Sequence, residues 1–104
     1  MTEKPSIKPP RTSLDKNTIL IGQKPVMRYV NAIVMRLGEG SEVIIRARGR
    51  AIPTAVDAAQ VSCRRFFGGK LAVSNVSIGT ETLDSENGQK HNVSTIEIKL
   101  FKKE

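Results

Sequence analysis

The sequence has few of the residues that catalysis, disulfides and metal sites require. Its 104 residues include one cysteine, one histidine and no tryptophan. The single cysteine, Cys63, excludes an internal disulfide framework and fits a reducing compartment. Cys63 falls on an apolar helical face and His91 near a predicted turn, so neither is a good catalytic candidate. With no Cys/His set at zinc spacing either, we predict a protein that is not an enzyme and uses no metal or cofactor.

Long apolar runs are also missing. The N-terminal stretch lacks the features of a signal peptide, and no segment approaches the roughly 20 apolar residues needed to cross a bilayer. We therefore predict a soluble intracellular protein with no membrane partner. A chain of this length accommodates one compact core rather than two.

Acidic residues are scarce relative to basic ones. Seventeen lysines and arginines stand against ten carboxylates, which gives a formal net charge of +7. Such an excess on a small surface attracts polyanions, because neutralised phosphates release their counterions. Aromatic residues are few as well, so a platform for stacking unpaired bases is poorly supported. Binding led by the phosphate backbone of a DNA or RNA duplex fits better.

The pattern along the chain predicts a basic, proline-containing flexible arm over residues 1–17 and one domain over residues 18–104. Residues 1–17 hold three of the five prolines and few large apolar side chains. The domain has the order β-α-β-α-β-β. Apolar stripes are predicted at Val26, Val30, Ile33, Val34 and Leu37 on the first helix and at Ile52, Val56, Ala59, Cys63 and Phe66 on the second. A parity shift predicts a bulge near Ser74-Asn75, and Asn87-Gly88 predicts the tip of a projecting hairpin.

Two strand-to-helix junctions carry most of the chemical information. They are Gly22-Gln23-Lys24-Pro25 and Arg46-Ala47-Arg48-Gly49-Arg50. If the first two strands are parallel, both junctions lie at one end of the sheet, where helix N-termini favour phosphate. The cations predicted to surround that site are Lys24, Arg46, Arg48 and Arg50. The alternative is a set of solvated caps, with the arginines paired to Glu42 or Asp57.

The end of the second helix carries Arg64-Arg65 beside Phe66-Phe67. One interpretation is a partner contact formed by an exposed aromatic flanked by arginines. The other is a core phenylalanine with arginines that complement the helix C-terminus. Adjacent helical residues point about 100° apart, so we expect the two phenylalanines to be unequally buried. The pattern does not decide which of them faces a partner.

At these junctions the sequence resembles the archaeal Alba chromatin proteins. The segments that carry the resemblance are Ile21-Gly22-Gln23-Lys24-Pro25-Val26-Met27, Arg46-Ala47-Arg48-Gly49-Arg50-Ala51-Ile52, Ala55-Val56-Asp57 and Val93-Ser94-Thr95-Ile96-Glu97-Ile98. The resemblance runs from about Thr18 to Lys103. It implies an α+β fold of two layers, with a four-stranded mixed sheet, two helices and an extended C-terminal hairpin. This fold is similar to that of the C-terminal domain of a bacterial translation initiation factor.

The resemblance also implies which residues bind nucleic acid. They are Gln23, Lys24, Arg28, Arg46, Arg48, Gly49, Arg50 and Lys90, with Phe66 at a contact between dimers. Three positions depart from the family pattern or add to it. The family pattern has two adjacent lysines in this loop. Lys24 matches the second, and Gln23 stands at the position of the first, which puts in doubt an acetylation switch there. The hairpin, where the family often carries arginines, has Lys90 among three carboxylates over residues 81–90. Arg28 is an additional cation that compensates near the lysine loop.

The function that the resemblance implies is cooperative, sequence-independent binding and compaction of double-stranded DNA by a homodimer, with RNA as a further partner. The protein would then lie in the cytoplasm on the chromosome, as part of the nucleoid. Two alternatives remain open: an RNA-binding protein of the same fold, acting in RNA protection or as a ribonucleoprotein subunit, and a subunit that modulates a paralogue through heterodimers.

Overall fold

The computed structural model describes residues 17–103. The arm predicted over residues 1–17 lies outside this range except for Asn17. The elements are β1 (Thr18–Leu20), α1 (Val26–Leu37), β2 (Glu42–Arg48), α2 (Ile52–Arg65), β3 (Leu71–Asp84) and β4 (Lys90–Lys102). Short 3-10 turns, Gly49–Ala51 and Phe67–Gly69, lie on either side of α2. This is the predicted β-α-β-α-β-β order.

The four strands form one mixed sheet in the order β1-β2-β4-β3. Strand β1 is parallel to β2, whereas β4 is antiparallel to both of its neighbours. Both helices pack on one face of the sheet, and we call the opposite face the open face. The α+β fold with a four-stranded mixed sheet is therefore confirmed.

The core lies between the helices and the sheet. In β2, Val43, Ile45 and Ala47 are buried, whereas Arg46 and Arg48, which alternate with them at the end of the strand, are exposed, as expected for a strand with one covered face. In α1, the residues buried against this strand are Tyr29, Val30, Ile33 and Leu37, and Val26 and Val34 are partly buried against the same core. The predicted stripe of α1 is confirmed, with Tyr29 as an addition. Each fully buried aliphatic side chain of this kind contributes roughly 1.5–3 kcal/mol.

The predicted stripe of α2 is wrong in part. The buried residues of this helix are Ala55, Ala58, Ala59 and Ser62, whereas Val56 is 39% exposed. Small residues on the inner face allow α2 to approach the sheet and α1 closely. The larger apolar residues Ile52, Cys63 and Phe66 lie at the margins, where they are partly buried. Residue size therefore misled the prediction, because alanines fill the tightest part of the core.

The predicted bulge in β3 is confirmed. Val73 pairs with Leu100 and Val76 with Ile98, so one extra residue is accommodated between Val73 and Asn75. The bulge keeps Val73, Val76 and Ile78 on the side of the sheet that faces the helices. Helix α2 contacts β3 near its start, where Leu71 is buried, but it leaves these three residues 48%, 52% and 83% exposed. We call Val73, Val76 and Ile78 the β3 stripe.

Strands β3 and β4 continue beyond the end of β2 as a two-stranded hairpin. Arg48, the last residue of β2, pairs with Thr95, and the residues of β4 that precede Thr95 pair with β3 alone. A turn at residues 85–89 closes the hairpin, with Gly88 at φ +85°. We call residues 80–94 the hairpin arm. It projects past the end of the sheet where β1 and β2 finish.

Candidate nucleic-acid interface

The two basic junctions lie side by side, as predicted. Because β1 and β2 are parallel neighbours, both finish at the same end of the sheet. The backbone nitrogen of Ile21 donates to the carbonyl oxygen of Arg46 at 2.9 Å, which joins the start of the lysine loop (residues 22–25) to the last part of β2. Helices α1 and α2 both begin at this end, so their free N–H groups add positive potential there.

Tyr29 organises the lysine loop from within α1. Its phenolic oxygen accepts hydrogen bonds from the backbone nitrogens of Gly22 at 2.8 Å and Lys24 at 3.1 Å. The ring itself is buried in the core. These contacts fix the backbone of the loop while Gln23 and Lys24 remain exposed. Sequence reasoning counted Tyr29 only as an aromatic, although its spacing, three residues after Val26 and four before Ile33, places it on the apolar face of the helix.

Arg46 and Arg48 lie on the open face of the sheet, and each forms an ion pair. Arg46 Nε lies 3.2 Å from a carboxylate oxygen of Glu97, and Arg48 Nη1 lies 2.5 Å from one of Glu81. The alternative interpretation, in which the arginines form ion pairs, therefore holds for Arg46 and Arg48. Their partners, however, are not Glu42 and Asp57. All four side chains are about half exposed. Pairs of this kind contribute only about 0–1 kcal/mol each.

Three other predicted cations, Lys24, Arg28 and Arg50, are exposed and form no ion pair within residues 17–103. Arg50 lies in the turn that precedes α2, and Arg28 in the first turn of α1. Next to Arg50, Gly49 has φ +58°, and a Cβ placed on it would lie 3.4 Å from Val93 Cγ1. The turn therefore packs against the hairpin arm, and glycine allows its left-handed backbone.

The hairpin arm contributes little free positive charge. Lys90 Nζ lies 3.0 Å from a carboxylate oxygen of Asp84, and both side chains are more than 70% exposed. Glu81 and Glu86 add two further carboxylates to the arm. The one predicted cation of the hairpin is thus already paired, in keeping with the acidic character that the sequence indicated.

Phe66 and Phe67 are both half-buried and pack against the core. The expectation that they would be unequally buried rested on helical spacing, which does not apply to them because α2 ends at Arg65. Phe66 is extended at φ −124°, and Phe67 has φ +60°. The ring of Phe67 also lies 4.9 Å from Lys102 Nζ. The assignment of Phe66 to a contact between dimers stays a prediction.

Three further observations on residues 17–103 concern metal binding, membrane crossing and the single cysteine. No group of three or more histidine, cysteine or acidic residues there is placed to hold a metal ion. None of the helices in this range combines the length and apolar character that membrane crossing requires. Burial raises the pKa of the Cys63 thiol, which lowers its reactivity at neutral pH.

The fold and this surface together define a small basic α+β domain that presents two cation-bearing loops and a hairpin arm at one end of its sheet. Residues 17–80 match the Alba family model. The DNA/RNA-binding protein Alba of Nanoarchaeum equitans (strain Kin4-M) is 48% identical over 87 residues, which cover 82% of this chain and 97% of that protein. The chain belongs to the Alba family.

Solved structures agree with this assignment. Alba from Thermoplasma volcanium superposes with a TM-score of 0.77 at 39% identity, covering 83% of this chain and all of that one. ALBA1 from Trypanosoma brucei gives a TM-score of 0.64 at 22% identity and covers 86% of this chain and 73% of that one. At that identity the second likeness shows the fold alone.

Proposed function

We propose that this protein binds double-stranded DNA through its phosphate backbone, without sequence preference, and compacts it as a cooperative homodimer. The observation that carries the proposal is the meeting of the two loops at one end of the sheet, with Lys24, Arg28 and Arg50 exposed there and unpaired within residues 17–103. The name of the Nanoarchaeum equitans relative, a DNA/RNA-binding protein, supports the same class of ligand. The protein acts by binding and not by catalysis, and its place in the cell is the nucleoid.

In the proposed complex, Lys24 and Arg50 contact phosphates beside the two helix N-termini, and Arg28 adds a third cation. Gln23 and Gly49 contribute a neutral side chain and backbone close to the same phosphates. Charged side chains that neutralise phosphates release counterions, so affinity falls steeply as salt rises. Phosphate contacts carry no sequence information, which fits binding without sequence preference.

The homodimer is proposed from the β3 stripe. Its three large apolar residues are exposed along an edge strand, and Val56 of α2 is an exposed apolar residue on the same side of the sheet. Contiguous apolar surface of this kind marks an interaction site, and a second copy is the commonest partner for such a patch. Dimer formation joins the basic ends of two chains, each with its pair of cation-bearing loops, in one complex. Phe66 is proposed to join such dimers along the DNA.

The test is a fluorescence-anisotropy titration of random-sequence DNA duplexes and a matched RNA duplex over a salt series. We expect similar affinity for unrelated DNA sequences, and at least a tenfold loss in the double variant Lys24→Glu/Arg50→Glu. The matched control is Lys70→Glu/Lys103→Glu, which changes the charge equally at two exposed, neighbouring positions at the opposite end of the domain. Equal losses in the two variants would show that net charge alone, and not this surface, governs binding.

The same surface supports a second candidate, an RNA-binding protein. Gln23 is neutral and the hairpin arm carries more carboxylates than cations, so the features that suit DNA grooves are weakened. Backbone-led recognition also serves double-stranded RNA. Tighter binding of the RNA duplex at every salt concentration would favour this candidate, and equal or tighter binding of DNA would favour the first.

A further inference from the structure

Arg48 and Glu81 are joined across an intervening strand. Arg48 of β2 is opposite Thr95 of β4, and Thr95 is opposite Gly79 of β3. Glu81 lies two residues further along β3, on the same face of the sheet and within the hairpin arm. The guanidinium of Arg48 therefore reaches diagonally across β4 to the hairpin arm. It meets the carboxylate at 2.5 Å.

We propose that Glu81 sets the affinity of the nucleic-acid surface by competing with phosphate for Arg48, an inference that rests on the proposed function. In the free protein the carboxylate accepts a hydrogen bond from Arg48 Nη1 and neutralises the charge that would attract a phosphate oxygen. A bound nucleic acid has to displace Glu81 from Arg48.

The geometry makes this displacement feasible. The side chains of Arg48 and Glu81 are 57% and 49% exposed, so solvent and salt screen the pair and it opens readily. Arg48 is the last residue of β2 and adjoins Gly49 and Arg50 in the turn. A phosphate held by Arg50 is therefore within reach of Arg48. A phosphate group, like a carboxylate, accepts charge-assisted and often bidentate hydrogen bonds from a guanidinium, so it competes with Glu81 for Arg48.

The second pair on the open face is placed differently. Arg46 and Glu97 are directly opposite each other in the central strands β2 and β4. Arg46 is two residues further from the basic end than Arg48, and Glu97 is not part of the hairpin arm. Its carboxylate is therefore further from the path of a bound backbone. We assign the competing role to Glu81 and not to Glu97.

The experiment compares Glu81→Gln with Glu86→Gln in the full chain, using the same DNA duplex and salt series as above. Both variants lose one negative charge from the hairpin arm, but Glu86 forms no ion pair within residues 17–103. We expect Glu81→Gln to lower Kd about threefold to tenfold at low salt, and Glu86→Gln to have less than half of that effect on the logarithmic scale. The salt slope of Glu81→Gln should steepen by about 0.9 for each additional phosphate contact.

A double-mutant cycle with Arg48→Gln tests whether the effect passes through the arginine. In the Arg48→Gln background, Glu81→Gln should produce no larger gain than Glu86→Gln does. Thermal unfolding of each variant checks that the fold is retained. The inference alone would be overturned if Glu81→Gln left Kd unchanged, raised it, or gave the same Kd as Glu86→Gln. Absence of duplex binding by the unaltered protein would overturn the proposed function, and this inference with it.

Discussion

The phenolic oxygen of Tyr29 lies 2.8 Å from the backbone nitrogen of Gly22 and accepts its hydrogen bond. A second bond from the nitrogen of Lys24, at 3.1 Å, uses the same oxygen. One side chain of α1 therefore holds both ends of the segment that presents Gln23. This links the packing of the core to the position of the lysine loop.

Tyr29→Phe should lower both stability and affinity. The change leaves two partly buried N–H groups without their acceptor, and each bond contributes about 0.5–1.5 kcal/mol. We expect a loss of about 1–3 kcal/mol in the free energy of unfolding, measured by urea denaturation. Loosening of the loop should weaken DNA binding severalfold by anisotropy.

The combination Tyr29→Phe/Lys24→Gln separates the two consequences. If Tyr29 acts on binding through the loop, the double variant should bind little more weakly than Lys24→Gln alone. Fully additive losses of binding free energy would show that Tyr29 acts on binding by another route.

Gly49→Ala should reduce binding more than its cost in stability explains. Gly49 and Gly68 have nearly the same left-handed backbone, at φ +58° and +59°. Alanine at either position costs roughly 1–2 kcal/mol in unfolding free energy because its Cβ disfavours this conformation. Only Gly49 lies between two of the predicted DNA-binding cations, Arg48 and Arg50.

Gly68→Ala is therefore the matched control, measured by the same urea titrations and anisotropy assays. We expect the two variants to lose comparable stability, and only Gly49→Ala to bind DNA more weakly. Equal affinity in the two variants would mean that the conformation of the turn does not matter for binding.

Much of this fold could be predicted from the sequence because its signals are local. The parity shift between Val73 and Val76 indicated the bulge, and the order of strands and helices followed from spacing and glycines. The two junctions could be placed at one end because parallel strands with right-handed crossovers require it. Local pattern was enough for these features.

Contacts between distant residues could not be predicted in the same way. Arg48 and Glu81 are 33 residues apart, and their meeting depends on the register of three strands. The hydroxyl of Tyr29 bonds to a loop whose path the sequence does not specify. In α2, the small side chains of Ala55 and Ala58 did not mark them as core residues, so the prediction placed the larger Val56 in the core.

Ile78→Lys should convert the proposed dimer to a monomer. Ile78 is 83% exposed in the single chain, so a lysine there does not disturb the core. In a dimer formed through the β3 stripe, the same lysine would be buried without a partner charge. Light scattering coupled to size-exclusion chromatography should report the mass of one chain where the unaltered protein gives twice that mass.

Met35→Lys is the control for this change. Met35 is 73% exposed on α1, away from the β3 stripe. It should leave the dimer intact. A dimer that survives Ile78→Lys and dissociates with Met35→Lys would place the interface on α1.

Ser62→Ala should stabilise the protein. The Ser62 side chain is fully buried, and its hydroxyl has no hydrogen-bond partner among residues 17–103. Burial of an unpaired hydroxyl costs about 1–3 kcal/mol, and alanine is the better helix former. We expect a gain of about 1 kcal/mol or more in urea denaturation. Ser94→Ala, at an exposed position of β4, should change stability by less than about 0.5 kcal/mol, and a loss of stability in Ser62→Ala would contradict the prediction.

Cys63 should react slowly with alkylating reagents in the folded protein. Burial raises the pKa of its thiol, and the thiolate is the reactive form. At pH 8, iodoacetamide should therefore modify the native chain more slowly than the chain unfolded in urea, as followed by mass spectrometry. The raised pKa also stabilises the fold below the ordinary thiol pKa, and this contribution is lost as the pH rises through the folded-state value. Stability should then fall more steeply with pH in the unaltered protein than in Cys63→Ala, and parallel pH profiles for the two proteins would contradict this.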